Sequence, residues 1–301
     1  MSAVPSSKTP TLFVLELAFL VVFWSWVAVA LLFLRNTVLP RMPLVHTPAD
    51  CHLLSETVRF EATDGLGLEG WKIAGEPSRP WIILCHGLGS NRSDLLDIAA
   101  GLHAAGFNLF LFDFRGHGGS GGRTSSFGWQ EQRDLEGALA FLSRQPDVPP
   151  QPYGLYGISM GAAVALMVAG RDDRIGAVAA EGPYTNLAES ISRHLRLMSP
   201  WLFTAPFHWL VFATYRIRFG VWPGRISPEE SLNRLSPRPL FLIQGAEDPR
   251  MPLAWTRRMF TKAREPKTLW VIQGAGHLEG FALEPSAYLT RLAQFFDSSL
   301  P

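Results

Sequence analysis

The sequence predicts an α/β fold, a mostly parallel sheet with helices on both faces, preceded by one apolar helix. Three observations carry this. From residue 56 onward, short β-rich apolar runs alternate with helical patterns, the signature of consecutive βαβ units. The pattern Gly157-Ile158-Ser159-Met160-Gly161 joins one such run to a strong helix former, Ala162 to Met167. Between Leu12 and Leu34, only Glu16 and Ser25 are not apolar.

Taken in chain order, the first run spans roughly 34 Å as a helix at 1.5 Å per residue, enough for a bilayer core of about 30 Å. A cleaved signal peptide is the rival, because Ala28-Val29-Ala30 resembles a cleavage site. The apolar run continues past Ala30 to Leu34, beyond the usual stretch of about 7–15 residues, so an anchor through residues 12–34 is expected. Lys8 on one side and Arg35 and Arg41 on the other leave the orientation open under the positive-inside rule. Residues 1–35 are read as tail and anchor. Residues 36–55, with Pro40, Pro43 and Pro48, are read as a linker. Residues 56–301 are then the α/β domain.

Val58, Phe60 and Ala62 alternate with polar residues, Asp64-Gly65 turns the chain, and Leu66, Leu68 and Trp71 follow; this predicts an antiparallel hairpin. Trp81 to Cys85 reads as a buried strand, Ser93 to Ala105 as a helix, Phe107 to Phe112 as a strand and Trp129 to Ser143 as a helix. Gly154-Leu155-Tyr156, Ile175 to Ala180, Pro239 to Gln244 and Thr268 to Ile272 supply further strands, and Pro285 to Ser298 a closing amphipathic helix.

Composition excludes several function classes. Hydrophobic residues make up 47% and charged residues 18%, against about 25% charged in an ordinary domain, which excludes a disordered chain. Lys+Arg 27 against Asp+Glu 26 leaves a net charge of +1, with no basic field to hold nucleic acid. Two cysteines, Cys51 and Cys85, exclude a disulfide scaffold. Neither C-x-x-C nor H-E-x-x-H occurs, so no metal or cofactor is expected.

Ligands of open α/β sheets bind at the carboxyl ends of the strands. There the Gly-x-Ser-x-Gly pattern requires a sharp strand-to-helix turn with Ser159 at its apex, which suits a nucleophile. A serine nucleophile needs a base and a group that orients the base. Gly245-Ala246-Glu247-Asp248 and Gly274-Ala275-Gly276-His277 each follow a strand. The order Ser159, Asp248, His277 makes His277 the expected base and Asp248 the expected acid. His86 and His117 lie on the same face but precede the serine; their simpler role is loop-shaping. Glu247, Glu181 and Asp113 are the rival acids, with Asp113 expected to brace a loop. The oxyanion donors expected are the backbone N–H groups of Met160 and, from the loop His86-Gly87-Leu88-Gly89-Ser90, of Leu88.

Together, His86-Gly87, Asp113-Phe114-Arg115-Gly116-His117-Gly118-Gly119-Ser120, Gly157-Ile158-Ser159-Met160-Gly161, Gly245-x-x-Asp248 and Gly276-His277 resemble the α/β-hydrolase superfamily. Within it, the chain is similar to the serine aminopeptidase and monoacylglycerol-lipase-like branch, in its membrane-anchored form, over roughly residues 56–298. The resemblance implies an eight-stranded sheet with a cap after the sixth strand, and carries over Ser159, Asp248 and His277 as triad and Leu88 and Met160 as oxyanion donors.

The expected cap is residues 182–238. Its stretch from Pro200 to Tyr215 is interrupted by Pro206 and carries Trp201, Phe203, Phe207, Trp209, Phe212 and Tyr215, with Arg216, Arg218 and Arg225 following. A lid lying on a membrane and admitting acyl chains fits this pattern; so does a cap helix packed on the domain. Trp209 and Phe212, three apart, share one helical face and are the candidate lid contacts. The expected activity is hydrolysis of a carboxylic ester with an apolar acyl group, such as a small-molecule or lipid ester. A thioesterase or serine aminopeptidase would use the same triad. A catalytically silent, membrane-anchored interaction protein is the reading from another class.

Overall fold

The computed structural model describes residues 10–37, 41–150, 152–198 and 205–300. Helix α1 (Pro10–Asn36) comes first, then the antiparallel hairpin β1 (Glu56–Glu61) and β2 (Gly67–Ile73), turned at Gly65 with φ +81°. Strands and helices then alternate as β3 (Trp81–Cys85), α2 (Leu96–Ala104), β4 (Asn108–Phe112), α3 (Glu131–Leu142), β5 (Tyr153–Ile158), α4 (Met160–Ala169) and β6 (Ile175–Glu181). Three helices follow, α5 (Leu187–Met198), α6 (Ala205–Phe219) and α7 (Pro228–Leu235). The chain closes with β7 (Leu240–Gly245), α8 (Leu253–Lys262), β8 (Lys267–Ile272), α9 (Gly280–Leu283) and α10 (Pro285–Ser299).

The eight strands make one sheet in the order β1-β2-β4-β3-β5-β6-β7-β8, with β3 to β8 all parallel. Parallel strands covered on both faces read as unbroken apolar runs, which is why β3 and β4 are buried at every position. The period of two divides them between two layers. Ile83, Phe110, Leu155, Val178 and Leu242 join a core with α3, α4, α7 and α8. Ile82, Leu109, Tyr156, Ala177 and Ile243 join a core with α2 and α10 on the other face.

A third cluster lies above the carboxyl ends of the strands. It brings Tyr184, Leu187, Ile191, Val211 and Tyr215 of the expected cap against Ala163 and Met167 of α4. Val211 and Tyr215, four apart, form the buried stripe of α6, and the Tyr215 hydroxyl donates to the Ser126 carbonyl at 2.7 Å. Burying each such side chain contributes about 1.5–3 kcal/mol. Helix α7 does not belong with this group, since Leu232 and Leu235 are buried in the sheet core. The expected cap therefore gives up its last helix to the layer that flanks the sheet.

The N-terminal segment departs from expectation. Thr11–Leu32 is long and apolar enough to cross a membrane. Yet its far end is not free: α1 packs along α6, with Trp26 against the third cluster and Ala30 buried. The linker expected at 36–55 is tied to the domain. The Ser125 N–H donates to the Thr37 carbonyl at 2.8 Å. The Arg41 guanidinium donates to the Gly118 and Gly122 carbonyls at 3.3 and 2.8 Å. The Asn91 side chain donates to the carbonyls of Met42 and Pro43 at 3.3 and 3.0 Å. Leu44, Cys51 and Leu53 pack on the sheet core. Polar partners far away in sequence satisfy this proline-punctuated backbone, a pattern invisible to local reading. Lys8, Pro40, Trp201 and Phe203 lie outside the described residues, as do the side chains of Pro206 and Phe207.

Candidate active site

Strand β5 turns into α4 at Ser159, whose backbone takes φ 50° and ψ −113°. That conformation costs a non-glycine residue about 1–3 kcal/mol and is fixed from both sides. The Ser159 N–H donates to the Glu181 carbonyl at the end of β6, at 2.8 Å. A Cβ at Gly157 would come within 2.6 Å of the Gly161 backbone, and one at Gly161 would meet the carbonyl oxygens of Cys85 and His86. Only glycine at both positions lets the first turn of α4 sit this close to β3.

The other two groups arrive from the ends of β7 and β8. His277 Nδ1 lies 2.6 Å from Asp248 Oδ2, and His277 Nε2 lies 3.1 Å from Ser159 Oγ. With the proton on Nδ1 donated to the carboxylate, Nε2 carries the lone pair that accepts from the serine hydroxyl. Asp248 is held from behind. Its Oδ1 accepts the N–H groups of Arg250 and Met251, both at 2.8 Å, and its Oδ2 also accepts from Gln244 Nε2 at 3.1 Å. Burial alone would raise its pKa. The hydrogen bonds from His277 and the two amides outweigh it and keep the carboxyl below its ordinary value.

The rival groups have other partners. Glu181 is buried and accepts from the Tyr288 hydroxyl at 2.6 Å and the Tyr156 hydroxyl at 3.3 Å; burial raises its pKa. The Glu247 side chain is exposed. Asp113 accepts from the Arg92 N–H at 2.8 Å, the Arg92 guanidinium at 2.7 Å and the Gly119 N–H at 2.8 Å, so it braces two loops. His86 accepts the Phe114 N–H on Nε2 at 3.0 Å and donates from Nδ1 to the Gly87 carbonyl at 2.7 Å. His117 accepts the Gly89 N–H on Nε2 at 3.1 Å and donates from Nδ1 to the Arg115 carbonyl at 2.8 Å. Burial holds the pKa of both imidazoles below its ordinary value. These two rings shape the loop that carries Leu88. The Leu88 and Met160 residues border the cavity beside Ser159, and among the described residues neither N–H has a protein acceptor.

The cavity above Ser159 measures about 520 Å³, within the range of about 300–1,000 Å³ usual for small-molecule sites. Its wall is mainly apolar: Leu187, Ile191, Leu195 and Met198 of α5, with Phe127 and Met251. The candidate lid contacts do not reach it. Trp209 is 64% exposed and touches Phe212 and Trp222 edge-on, while Phe212 packs on the third cluster. The stripe of α6 that faces inward is Val211 and Tyr215, and Trp209 projects from nearly the opposite side of the helix. Sequence reasoning missed most of the lining, the α5 residues included, and with it Leu32, His194 and Arg250. His194 had a legible signal, since it follows Leu187, Ser190 and Ile191 on one face of α5.

Residues 76–236 match the protein family described as "Serine aminopeptidase, S33". The chain is 31% identical over 242 residues to an uncharacterized protein of Mycobacterium tuberculosis, covering 79% of this chain and 78% of that one. The chain belongs to the serine aminopeptidase family. It is an α/β hydrolase, and the expected fold class is the observed one. An esterase of Pyrococcus furiosus has a similar fold, with a TM-score of 0.72 at 24% identity over 87% of this chain and 100% of that one. A thiohydrolase of Arthrinium phaeospermum is 36% identical over 133 residues, 43% of each chain.

Proposed function

We propose that this α/β hydrolase is a membrane-anchored serine hydrolase that cleaves carboxylic esters with apolar acyl groups. One observation carries the reading: the chain Ser159 Oγ–His277–Asp248, with separations of 3.1 and 2.6 Å, opens on a mainly apolar cavity.

Ser159 Oγ attacks the ester carbonyl while His277 Nε2 takes its proton. The charge that develops on the carbonyl oxygen is met by the N–H groups of Leu88 and Met160, the latter at the N-terminus of α4, where the helix dipole favours negative charge. Asp248 keeps the imidazole in the accepting tautomer and stabilises the imidazolium. His277 then protonates the departing alkoxide. Water, deprotonated by the same histidine, releases the acid from the acyl-enzyme. Helix α1 tethers the enzyme to a membrane.

A thioester would react through the same steps, with a thiol leaving; the partial likeness to a thiohydrolase supports keeping it as the second reading. The test is hydrolysis of a short-chain oxygen ester and its thioester counterpart by the full chain and by Ser159→Ala. Loss of a triad member is expected to lower the rate at least about a thousandfold. An undiminished rate in Ser159→Ala would remove the serine from the mechanism.

A further inference from the structure

We infer that the anchor helix is itself a wall of the substrate site, and that the substrate is a bilayer-resident lipid ester whose acyl chain enters sideways between α1 and α5. This deepens the serine-hydrolase reading and rests on it. Leu32, near the end of α1, lines the cavity above Ser159. So does Met198 at the end of α5. Residues that line a cavity while exposed mark its mouth, and Leu32 is 44% and Met198 71% exposed. Leu88, Asp94 and Arg250 are exposed lining residues as well, so Leu32 and Met198 form the apolar side of the mouth.

The apolar span of α1 runs from Thr11 to Leu32, with Arg35 just beyond. Leu32 thus falls at the edge of that span, at the level where acyl chains meet headgroups. Besides the exposed apolar surface of α1, the cap exposes Leu197, Met198, Trp209 and Ile217. Such surface on a chain already anchored by α1 faces lipid rather than water. The packing of α1 along α6, through Trp26 and Ala30, holds Leu32 in place against the domain. A chain entering here passes from lipid into an apolar cavity without crossing water, and its ester reaches Ser159 at the floor.

The test uses the full chain in phosphatidylcholine vesicles with dodecanoyl and acetyl p-nitrophenyl esters. Leu32→Trp fills the mouth and is expected to lower the dodecanoyl-to-acetyl ratio of kcat/KM at least about tenfold, as expected for losing a well-packed apolar contact. Leu31→Trp, at a neighbouring position that is 60% exposed and does not line the cavity, should leave that ratio unchanged. An unchanged ratio in Leu32→Trp, or an equal fall in Leu31→Trp, would overturn the inference. A measurement on the unaltered chain guards against a misfolded variant. An alkyl fluorophosphonate with a diazirine at its chain end, bound to Ser159 and irradiated, should cross-link the α1 peptide that contains Leu32; cross-links confined to α2 or α10 would overturn the entry route. An unaltered chain that neither hydrolyses the acetyl ester nor takes up the probe would instead overturn the serine-hydrolase reading beneath it.

Discussion

Asp248→Asn probes the Asp248–His277 link of the proposed triad, and the hydrogen bonds around Asp248 decide which way the new amide points. Oδ1 of Asp248 accepts the backbone N–H groups of Arg250 and Met251 at 2.8 Å. An amide NH₂ in that place would face two backbone donors, against the single donor besides His277 at Oδ2, Gln244 Nε2 at 3.1 Å, so the asparagine oxygen takes the Oδ1 place. The NH₂ then occupies the Oδ2 position, 2.6 Å from His277 Nδ1 in the native site. It donates there, which forces the proton of the imidazole onto Nε2. Nε2 then presents a hydrogen to Ser159 Oγ instead of a lone pair, and the base is lost while the geometry stays. A wrong tautomer of this kind costs about 10⁴ in turnover, near 5 kcal/mol of transition-state stabilisation at about 1.4 kcal/mol per decade. The assay is kcat/KM on an acetyl ester together with the rate of fluorophosphonate labelling, with circular dichroism to show the fold intact. Both rates should fall by about 10³–10⁴. A fall of less than about tenfold in a folded variant would mean that Asp248 does not orient His277.

Glu181→Gln should behave differently, because the Glu181 carboxyl is occupied by Tyr288 and Tyr156 rather than by His277; acetyl-ester turnover should stay within about threefold and stability within about 1.5 kcal/mol. A loss matching that of Asp248→Asn would make Glu181 the acid. Hydrogen bonds from Arg115, then its charge, hold Asp64 at about 2 against an ordinary 3.8, so its contribution to stability is complete above about pH 4 and lost as pH falls through 2. Asp64→Asn should cost about 1–2 kcal/mol at pH 7 after allowance for solvent at a side chain that is 29% exposed. The Tm gap to the unaltered chain should close between pH 4 and 2; a gap constant with pH would refute the ion-pair origin.

Much of the sheet was legible in the sequence because parallel strands buried on both faces show themselves as apolar runs. The apolar run Trp81 to Cys85 coincides with β3, and the runs starting at Ile175, Pro239 and Thr268 match β6, β7 and β8 to within a residue. The relation of Ser159 to Asp248 and His277 was legible for a related reason: each follows a strand, and parallel strands deliver their carboxyl ends to one edge. What escaped depends on contacts between distant segments. The strap of residues 41–53 is held by Asn91 and by carbonyls near Gly118, and nothing local in its prolines announces either. Helix α8, Leu253–Lys262, carries charged and apolar residues with few buried positions, Thr256 and Met259, and gave no clear period. Aromatic content located the apolar cap helix without saying which of its sides faces the cavity. Val211 and Tyr215 turn inward, Trp209 turns outward, and the lining comes from α5. Leu32 was out of reach altogether, since a run long enough to span a bilayer reads as a tether and hides any contact at its end.

The central claim is that Ser159 is the nucleophile, raised to that role by His277 and Asp248. Reacting the full chain in detergent with a fluorophosphonate, then mapping the adduct by peptide mass spectrometry, tests it most directly. The account predicts a single adduct on the peptide containing Gly157-Ile158-Ser159-Met160-Gly161, assigned to Ser159 and absent from His277→Ala within the same reaction time. An adduct on any other residue, or labelling of His277→Ala at the rate of the unaltered chain, would contradict it.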